Sequence, residues 1–346
     1  MDITIRPPEN NAEMENWSEF VSRHPDGNIF QSPEMFDLWS KTAQFEPVCR
    51  LAFNQDNRIT GVAVAVIIQE KGWIKRHFSS RAVIYGGPLI AAEPGQRMTV
   101  FMELMKSMIG QVGTRSVFLQ IRNFFDTSEF KEALHTLGFR YSQRLNLIVP
   151  AFSEEMVLRG MSKSRHRQIQ KSKKNGAVLA APCHSGEVEI FYEILQRLYR
   201  DQVKKPLPDI SFFKAFYEKS KDESFGIFRV VKYGEKIVGG IVCPITPGKT
   251  IFELYVCGLD KEYEKSGIYP SVMATWAPIE FALHHGIPSF DFMGVGVPHR
   301  SYGVRDFKMR FGGNVVNFGR YARVNNQLIY LISEVGYNLL VALRRV

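Results

Sequence analysis

Residues 302–313 read YGVRDFKMRFGG and set two cations, Arg305 and Lys308, among Phe307, Phe311 and a run of glycines. A cation in a partly desolvated aromatic pocket does more for a developing oxyanion than one in water. A glycine-rich turn packed by its own aromatics is the structural reading of the same residues. Upstream, Glu253 stands in the apolar strand 251–256 and Asp291 in the neighbouring strand 289–295. Burying an unpaired carboxylate costs several kcal/mol or raises its pKa, and a raised pKa suits a general base acting on an amine. A partly exposed sheet edge, or pairing with Lys308, accounts for Glu253 equally well. The cysteines Cys49, Cys183, Cys243 and Cys257 form no C-x-x-C pair and have no histidine at ligand spacing. They read as reduced thiols of a cytosolic protein, with no metal and no nucleophilic triad. His284 and His285 precede Gly286 at an expected helix end and take no role.

The second chemical feature is electrostatic. The chain carries 44 Lys and Arg against 35 Asp and Glu, a formal charge of +9. No acid lies between Glu155 and Glu187, whereas Arg159, Lys163, Arg165, Arg167, Lys171, Lys173 and Lys174 all do. Like charges four apart on a helix, such as Lys163 and Arg167, destabilise it; a phosphate-rich partner offsets that through counterion release. Arg165, Arg167, Lys171, Lys173 and Lys174 are therefore read as contacts to a polyanion, with a solvated helix face as the alternative. Ser162 as N-cap and Gly176 as stop frame the segment as one helix within 159–176.

These residues need elements to position them, and the elements repeat. The segments 48–68 and 225–245 each hold an apolar strand, a polar turn and a second strand, which opens Ile59-Thr60-Gly61 and Ile237-Val238-Gly239. Each is followed by a further strand, an amphipathic helix, a short strand (116–122 or 289–295), a helix, a glycine and a last strand. Two helices precede each unit, near 11–23 and 33–43, then near 186–204 and 211–220. Such an order repeated at a nearly constant offset indicates duplication. The predicted class is α+β or α/β: two tandem domains of mixed sheets flanked by helices, 1–152 and 153–325, followed by an amphipathic C-terminal helix over 326–346. A hydrophobic fraction of 45% excludes wholesale disorder. The N-terminus lacks a signal-peptide pattern and no apolar run reaches 18 residues.

The antiparallel meander before the helix resembles the GNAT acyltransferase fold. In GNAT enzymes the loop between the fourth strand and the next helix reads [QR]-x-x-G-x-[GA], and its backbone N–H groups cradle the coenzyme A pyrophosphate. The aligned residues here are Glu264, Lys265, Ser266, Gly267, Ile268, Tyr269 and Pro270. The acid repels phosphate, the tyrosine is bulky and the proline removes a donor, so acyl-CoA is disfavoured as donor.

Several stretches together resemble the FemABX-like proteins, which carry two GNAT units. They are FQSPEMFDLW (30–39), YGGPLI (85–90), SEEMVLRGMSKSRHRQIQKSKKNG (153–176), FDFMG (290–294) and YGVRDFKMRFGG (302–313). The resemblance covers nearly the whole chain. It implies an aminoacyltransferase that moves an amino acid from aminoacyl-tRNA to an amine of a peptidoglycan precursor, with no bound cofactor. The family's Phe-Lys falls on Phe307 and Lys308, the lysine stabilising the tetrahedral oxyanion or the charge left on the tRNA ribose. Gln31, Tyr85, Gly87, Tyr255, Tyr302 and Arg305 are the expected substrate contacts; Lys308, Phe307, Glu253 and Asp291 are the expected catalytic set. The long coiled-coil insertion of some members does not fit within 346 residues, and Lys41 is out of register for the basic residue that binds precursor. The alternative is a GNAT-type N-acyltransferase acting on a nucleotide- or lipid-linked amino sugar in envelope polysaccharide synthesis. A non-catalytic module binding cell-wall precursor or RNA is a third. The expected location is the cytoplasm or the inner face of the membrane, with the C-terminal helix as a peripheral contact.

Overall fold

The β-branched and aliphatic residues that fill 59–68 and 236–246 favour strands buried on both faces, and each becomes the centre of a sheet. The structure is a computed structural model that describes residues 3–69, 72, 79–300, 302–327 and 329–331. The chain divides into two units, 1–143 with 318–346, and 144–317.

The first unit contains strands β1 (Thr4–Arg6), β2 (Phe45–Phe53), β3 (Ile59–Ile68), β4 (Arg81–Tyr85), β5 (Leu89–Ile90), β6 (Phe118–Arg122) and β7 (Arg140–Ser142). The second contains β8 (Asn146–Pro150), β9 (Ala177–Ala180), β10 (Gly226–Tyr233), β11 (Lys236–Thr246), β12 (Thr250–Phe252), β13 (Tyr255–Gly258), β14 (Ser289–Asp291) and β15 (Asn314–Val316). The last strand, β16 (Arg320–Val324), returns to the first unit. The sheet orders are β1-β2-β3-β4-β6-β16-β7, with β5 also on β3, and β15-β8-β14-β12-β11-β10-β9, with β13 also on β11.

In both sheets one strand is thus broken in two while still pairing with a continuous neighbour. The break falls at Gly86–Pro88 in the first unit and at Glu253–Leu254 in the second. The helix Pro94–Val112 packs Phe101, Leu104, Met105 and Met108 on the first sheet, and the helix Pro270–His285 packs Val272, Trp276 and Ile279 on the second. The second helix continues through Pro278.

The domain boundaries differ from the sequence expectation. The strand 146–150, assigned there to the first domain, pairs with β14 and β15 in the second sheet. Residues 320–324, assigned to the second, pair with β6 and β7 in the first. The second unit is an insertion into the β7–β16 hairpin. Local periodicity locates a strand but says nothing about which sheet receives it. The expected basic helix 159–176 is two helices, Glu154–Gly160 and Lys163–Lys174, separated at Met161 and Ser162; the Ser162 hydroxyl caps the second by accepting from Arg165 N. Of the expected C-terminal helix, residues 328 and 332–346 lie outside the described residues. No helix among the described residues is long and apolar enough to cross a membrane.

Candidate active site

The break between β12 and β13 exposes Glu253 to the interior of the second unit, and the helix Gly303–Met309 brings Lys308 to it. Lys308 Nζ lies 2.7 Å from Glu253 Oε1. It also donates to the carbonyls of Phe292 at 2.9 Å and Gly294 at 3.2 Å, and sits 5.2 Å from the centre of the Phe292 ring. Both partners are buried, Lys308 at 9% exposure and Glu253 at 7%. Glu253 Oε2 is buried with no hydrogen-bond partner, an unusual state for a carboxylate oxygen.

Asp291 ends β14 at 2% exposure and does not touch Lys308 directly. Both of its oxygens accept from Asn146 Nδ2, at 2.7 and 2.8 Å, and Oδ1 accepts from Met293 N at 2.5 Å. Burial pushes the Asp291 carboxyl up to about 6 against the pull of those bonds and of Lys308. Asn146 is absent from the sequence-derived set. Its signal was a polar residue inside the apolar run Leu145–Val149, but strand alternation alone did not say what it faced.

The other expected contacts from this segment are spent on the protein itself. Arg305 donates to the carbonyls of Val295 at 2.8 Å, Pro298 at 3.0 Å and Val297, and so fixes the 295–298 loop rather than offering a free guanidinium. Tyr302 packs beside Gly296 at 39% exposure. Phe307 stacks under Arg165, whose guanidinium carbon lies 4.3 Å from that ring and 4.5 Å from Phe311.

Arg165 requires a correction as a polyanion contact. It is 2% exposed, donates to Phe307 O at 2.9 Å and to Gln168 Oε1 at 2.9 Å, and burial draws its pKa down to about 10. The helical spacing that put it among exposed cations also puts it in line with Ile169 and Ser172, the buried face. Lys173 is committed to Glu280 at 2.6 Å and lies 5.9 Å from the Trp276 ring, and Arg159 pairs with Glu155. Lys163, Arg167, Lys171 and Lys174 are exposed, and among the described residues none of them is in an ion pair.

The start of the helix Pro270–His285, where a GNAT enzyme holds pyrophosphate, is engaged internally. Ser271 N donates to Asp260 Oδ1 at 3.1 Å and Tyr269 N to Ser172 Oγ at 3.0 Å. Asn175 Nδ2 donates to Ser266 O at 2.8 Å. The Lys171 side chain lies so close to Gly267 that a Cβ there would come within 2.5 Å of it.

In the first unit, Gln31 is wholly buried and its amide mends the break between β4 and β5. Oε1 accepts from Val64 N at 2.9 Å, and Nε2 donates to Tyr85 O at 2.8 Å and Val64 O at 3.2 Å. It is a structural residue, correcting its reading as a substrate contact. Gly87 leaves it room, since a Cβ there would meet the Gln31 amide at 2.5 Å. Tyr85 stacks on Phe30 at 5.3 Å and lies beneath Arg122, whose guanidinium carbon is 4.9 Å from the ring. Tyr255 belongs to a separate aromatic group in the second unit, with Tyr199, Phe212 and Phe213. Among the described residues no cluster of His, Cys, Asp and Glu assembles a metal site.

Residues 159–309 match the family model described as an acetyltransferase (GNAT) domain. Among solved structures the chain is similar to FemX, at 15% identity over 96% of this chain and 99% of that one, with a TM-score of 0.69. It is similar to L-PGS from Bacillus licheniformis at 11% identity, covering 94% and 96%, with a TM-score of 0.55. A tandem GNAT protein from the clavulanic acid biosynthesis pathway matches at 9% identity over 94% and 99%, with a TM-score of 0.51. No curated protein sequence matches the chain. At these identities the structural likeness is one of fold. The expected tandem GNAT architecture, the fold of acyltransferases, is borne out.

Proposed function

We propose that this tandem GNAT-fold chain is a FemABX-like aminoacyltransferase, which takes an aminoacyl group from aminoacyl-tRNA and passes it to an amine of a peptidoglycan precursor. The observation that carries this reading is the internal use of the phosphate cradle. Asp260 and Ser172 occupy the N–H groups of Ser271 and Tyr269, and Lys171 covers Gly267. A carboxylate at that place opposes a second anion, so coenzyme A loses the site it uses elsewhere in the fold. The exposed cations Lys163, Arg167, Lys171 and Lys174 instead suit a longer polyphosphate.

On this reading the amine attacks the ester carbonyl, and Glu253 Oε2, the buried carboxylate oxygen with no partner, takes the proton. Lys308 stabilises the oxyanion by exchanging its longest contact, the 3.2 Å bond to Gly294 O, for the developing charge. The ribose hydroxyl then leaves with a proton. Aminoacyl esters are activated enough for this without a metal, and the reading places the reaction in the cytoplasm, where charged tRNA is found.

The test is a transfer assay with a labelled peptidoglycan-precursor amine, comparing aminoacyl-tRNA with acyl-CoA. Product that forms from aminoacyl-tRNA and disappears after ribonuclease treatment is expected. Ribonuclease-insensitive product, or wild-type turnover by Lys308→Ala, overturns the reading.

A further inference from the structure

An ammonium has three N–H bonds to give, and Lys308 gives all three: to Glu253 Oε1, Phe292 O and Gly294 O. Its position is therefore set by whatever sets those three acceptors, and each of them traces back to Asp291. The Asp291 backbone carbonyl accepts from Glu253 N at 2.8 Å, which fixes the strand break that presents Glu253. The Asp291 side chain accepts from Met293 N, two residues on, in the manner of an Asx turn. That turn holds Met293 at φ 54, a left-handed conformation that a residue with a side chain adopts at some strain. Such a conformation persists only where its surroundings over-determine it. It is this turn that aims the carbonyls of Phe292 and Gly294 at one point.

The carboxylate is itself held from a distant part of the chain. Asn146, at 8% exposure on β8, gives Nδ2 to both Asp291 oxygens, while its own Oδ1 accepts from Leu147 N at 2.8 Å. Neither Asn146 nor Asp291 contacts Lys308, and both Asp291 oxygens are occupied by neutral donors.

We propose that Asn146 and Asp291 act together as a positioning pair that fixes the ammonium of Lys308 through the 291–294 turn. The inference rests on Lys308 being the transfer site, yet its geometry is testable without turnover. The charged and polar groups facing the Asp291 carboxylate are Asn146, Lys308 and Glu253. Burial already raises its pKa, so losing the two amide bonds favours the neutral acid and slackens the turn.

The experiment uses the full chain with Asn146→Asp, Asp291→Asn and the double exchange. The first opposes two carboxylates and the second opposes two amides. The double exchange restores one amide facing one carboxylate, keeps an oxygen for Met293 N and keeps one for Leu147 N. Acetylation of Lys308 by an N-hydroxysuccinimide ester is followed by peptide mass spectrometry, with the exposed Lys174 as internal reference. Each single variant is expected to raise the Lys308 rate by about tenfold or more, with kcat for transfer falling by a similar factor and KM within about twofold. The double exchange is expected to reverse most of both changes. Unchanged Lys308 reactivity in folded single variants overturns the proposal, as does a double exchange no better than the worse single. If a single variant does not fold, Asn146→Ser, which keeps one donor, gives the same reading at smaller amplitude. Failure of wild-type transfer from aminoacyl-tRNA overturns the donor assignment alone, because the acetylation rates still report on the pair.

Discussion

The two units break the same strand at the same place and fill the gap differently. Gly86 N donates to Arg122 O at 2.9 Å in one, and Glu253 N donates to Asp291 O at 2.8 Å in the other. Past the break, Ala91 N reaches Thr60 O and Leu259 N reaches Val238 O, both at 2.9 Å. Around this shared backbone the first unit inserts the neutral amides of Gln31 and Asn28, the latter donating to Gly86 O at 2.5 Å. The second inserts the Glu253–Lys308 ion pair. A neutral amide satisfies the broken strand without desolvating a charge, whereas burying an ion pair carries a penalty of several kcal/mol per ion before the pair repays it. The first unit shows that the fold itself needs no charge at this position. On the proposed reading the charge in the second unit serves the transfer, and the first unit is its uncharged counterpart.

The most drastic way to break the comparison is to separate the copies. Were they independent repeats, residues 1–152 and 153–325 would each fold. The first piece lacks β16, which lies between β6 and β7 and carries the core residue Tyr321; the second lacks β8, which lies between β14 and β15 and carries Asn146. Neither piece is expected to give a cooperative melt or dispersed amide resonances. Deleting 144–317 is expected to fold, because Ser142 already pairs with Arg320 and the splice leaves Gln143, Phe318 and Gly319 as a three-residue hairpin connection, with the glycine left-handed at φ 71. A folded 1–152 fragment would show that the strands are not needed where the topology puts them.

Next in size is the exchange of contents. Lys308→Ala is expected to lower kcat by about 10²-fold or more and, by stranding Glu253, to destabilise the unit by about 3–5 kcal/mol. Gln31→Ala leaves Val64 N and Tyr85 O without their partner and is expected to cost about 2–4 kcal/mol, with kcat changed by less than about threefold. Urea melts and initial rates separate the two. A Gln31→Ala protein of normal stability and no activity would reverse the roles assigned to the two breaks.

How much of this was legible beforehand follows from which interactions are local. The strand–turn–strand units, the Ser162 cap and the Phe307-Lys308 motif depend on neighbours in sequence and could be found there. Even the pairing of Glu253 with Lys308 was among the readings left open. The exchange of β8 and β16 was hidden, because alternation fixes a strand's faces and leaves its sheet undetermined. Arg165 and Arg305 were taken as free cations because composition counts charges and does not see the carbonyls and rings that consume them. Asn146 and Asp291 are 145 residues apart, and nothing in either segment names the other.

A smaller effect sharpens the electrostatic side. Changing Lys163, Arg167, Lys171 and Lys174 together to Gln is expected to reduce the slope of log K against log salt for tRNA binding by about 3. The same change at Arg159 and Lys173, which are paired with Glu155 and Glu280, is expected to move it by less than about 1. Filter binding between 50 and 200 mM salt, roughly the range over which such slopes are read, distinguishes the sets. Equal slopes for both would return the helix to an ordinary solvated face.

The smallest expected effect sets one buried carboxylate of each unit against the other. Glu13 is paired with Arg6 at 2.6 and 2.7 Å and accepts from Glu9 N, and these bonds hold its carboxyl down to about 2, below its ordinary 4.5. Its contribution is present above pH 4.5 and is lost as pH falls toward 2. Asp291 has the opposite sign. Its carboxyl sits at about 6 against an ordinary 3.8, so between those values the native state binds more protons than the unfolded chain. The stability it contributes is complete below pH 3.8 and is lost as pH rises through about 6. Relative to wild type, Asp291→Asn should therefore fall further behind by a few degrees in Tm as pH is lowered from 7 to 4. Glu13→Gln should hold a constant deficit above pH 4.5 and recover only below it. Melting curves collected across the range decide the matter: parallel curves for Asp291→Asn and wild type would mean that the carboxyl is not held in a desolvated site, and that the two units differ less in their interiors than their geometry indicates.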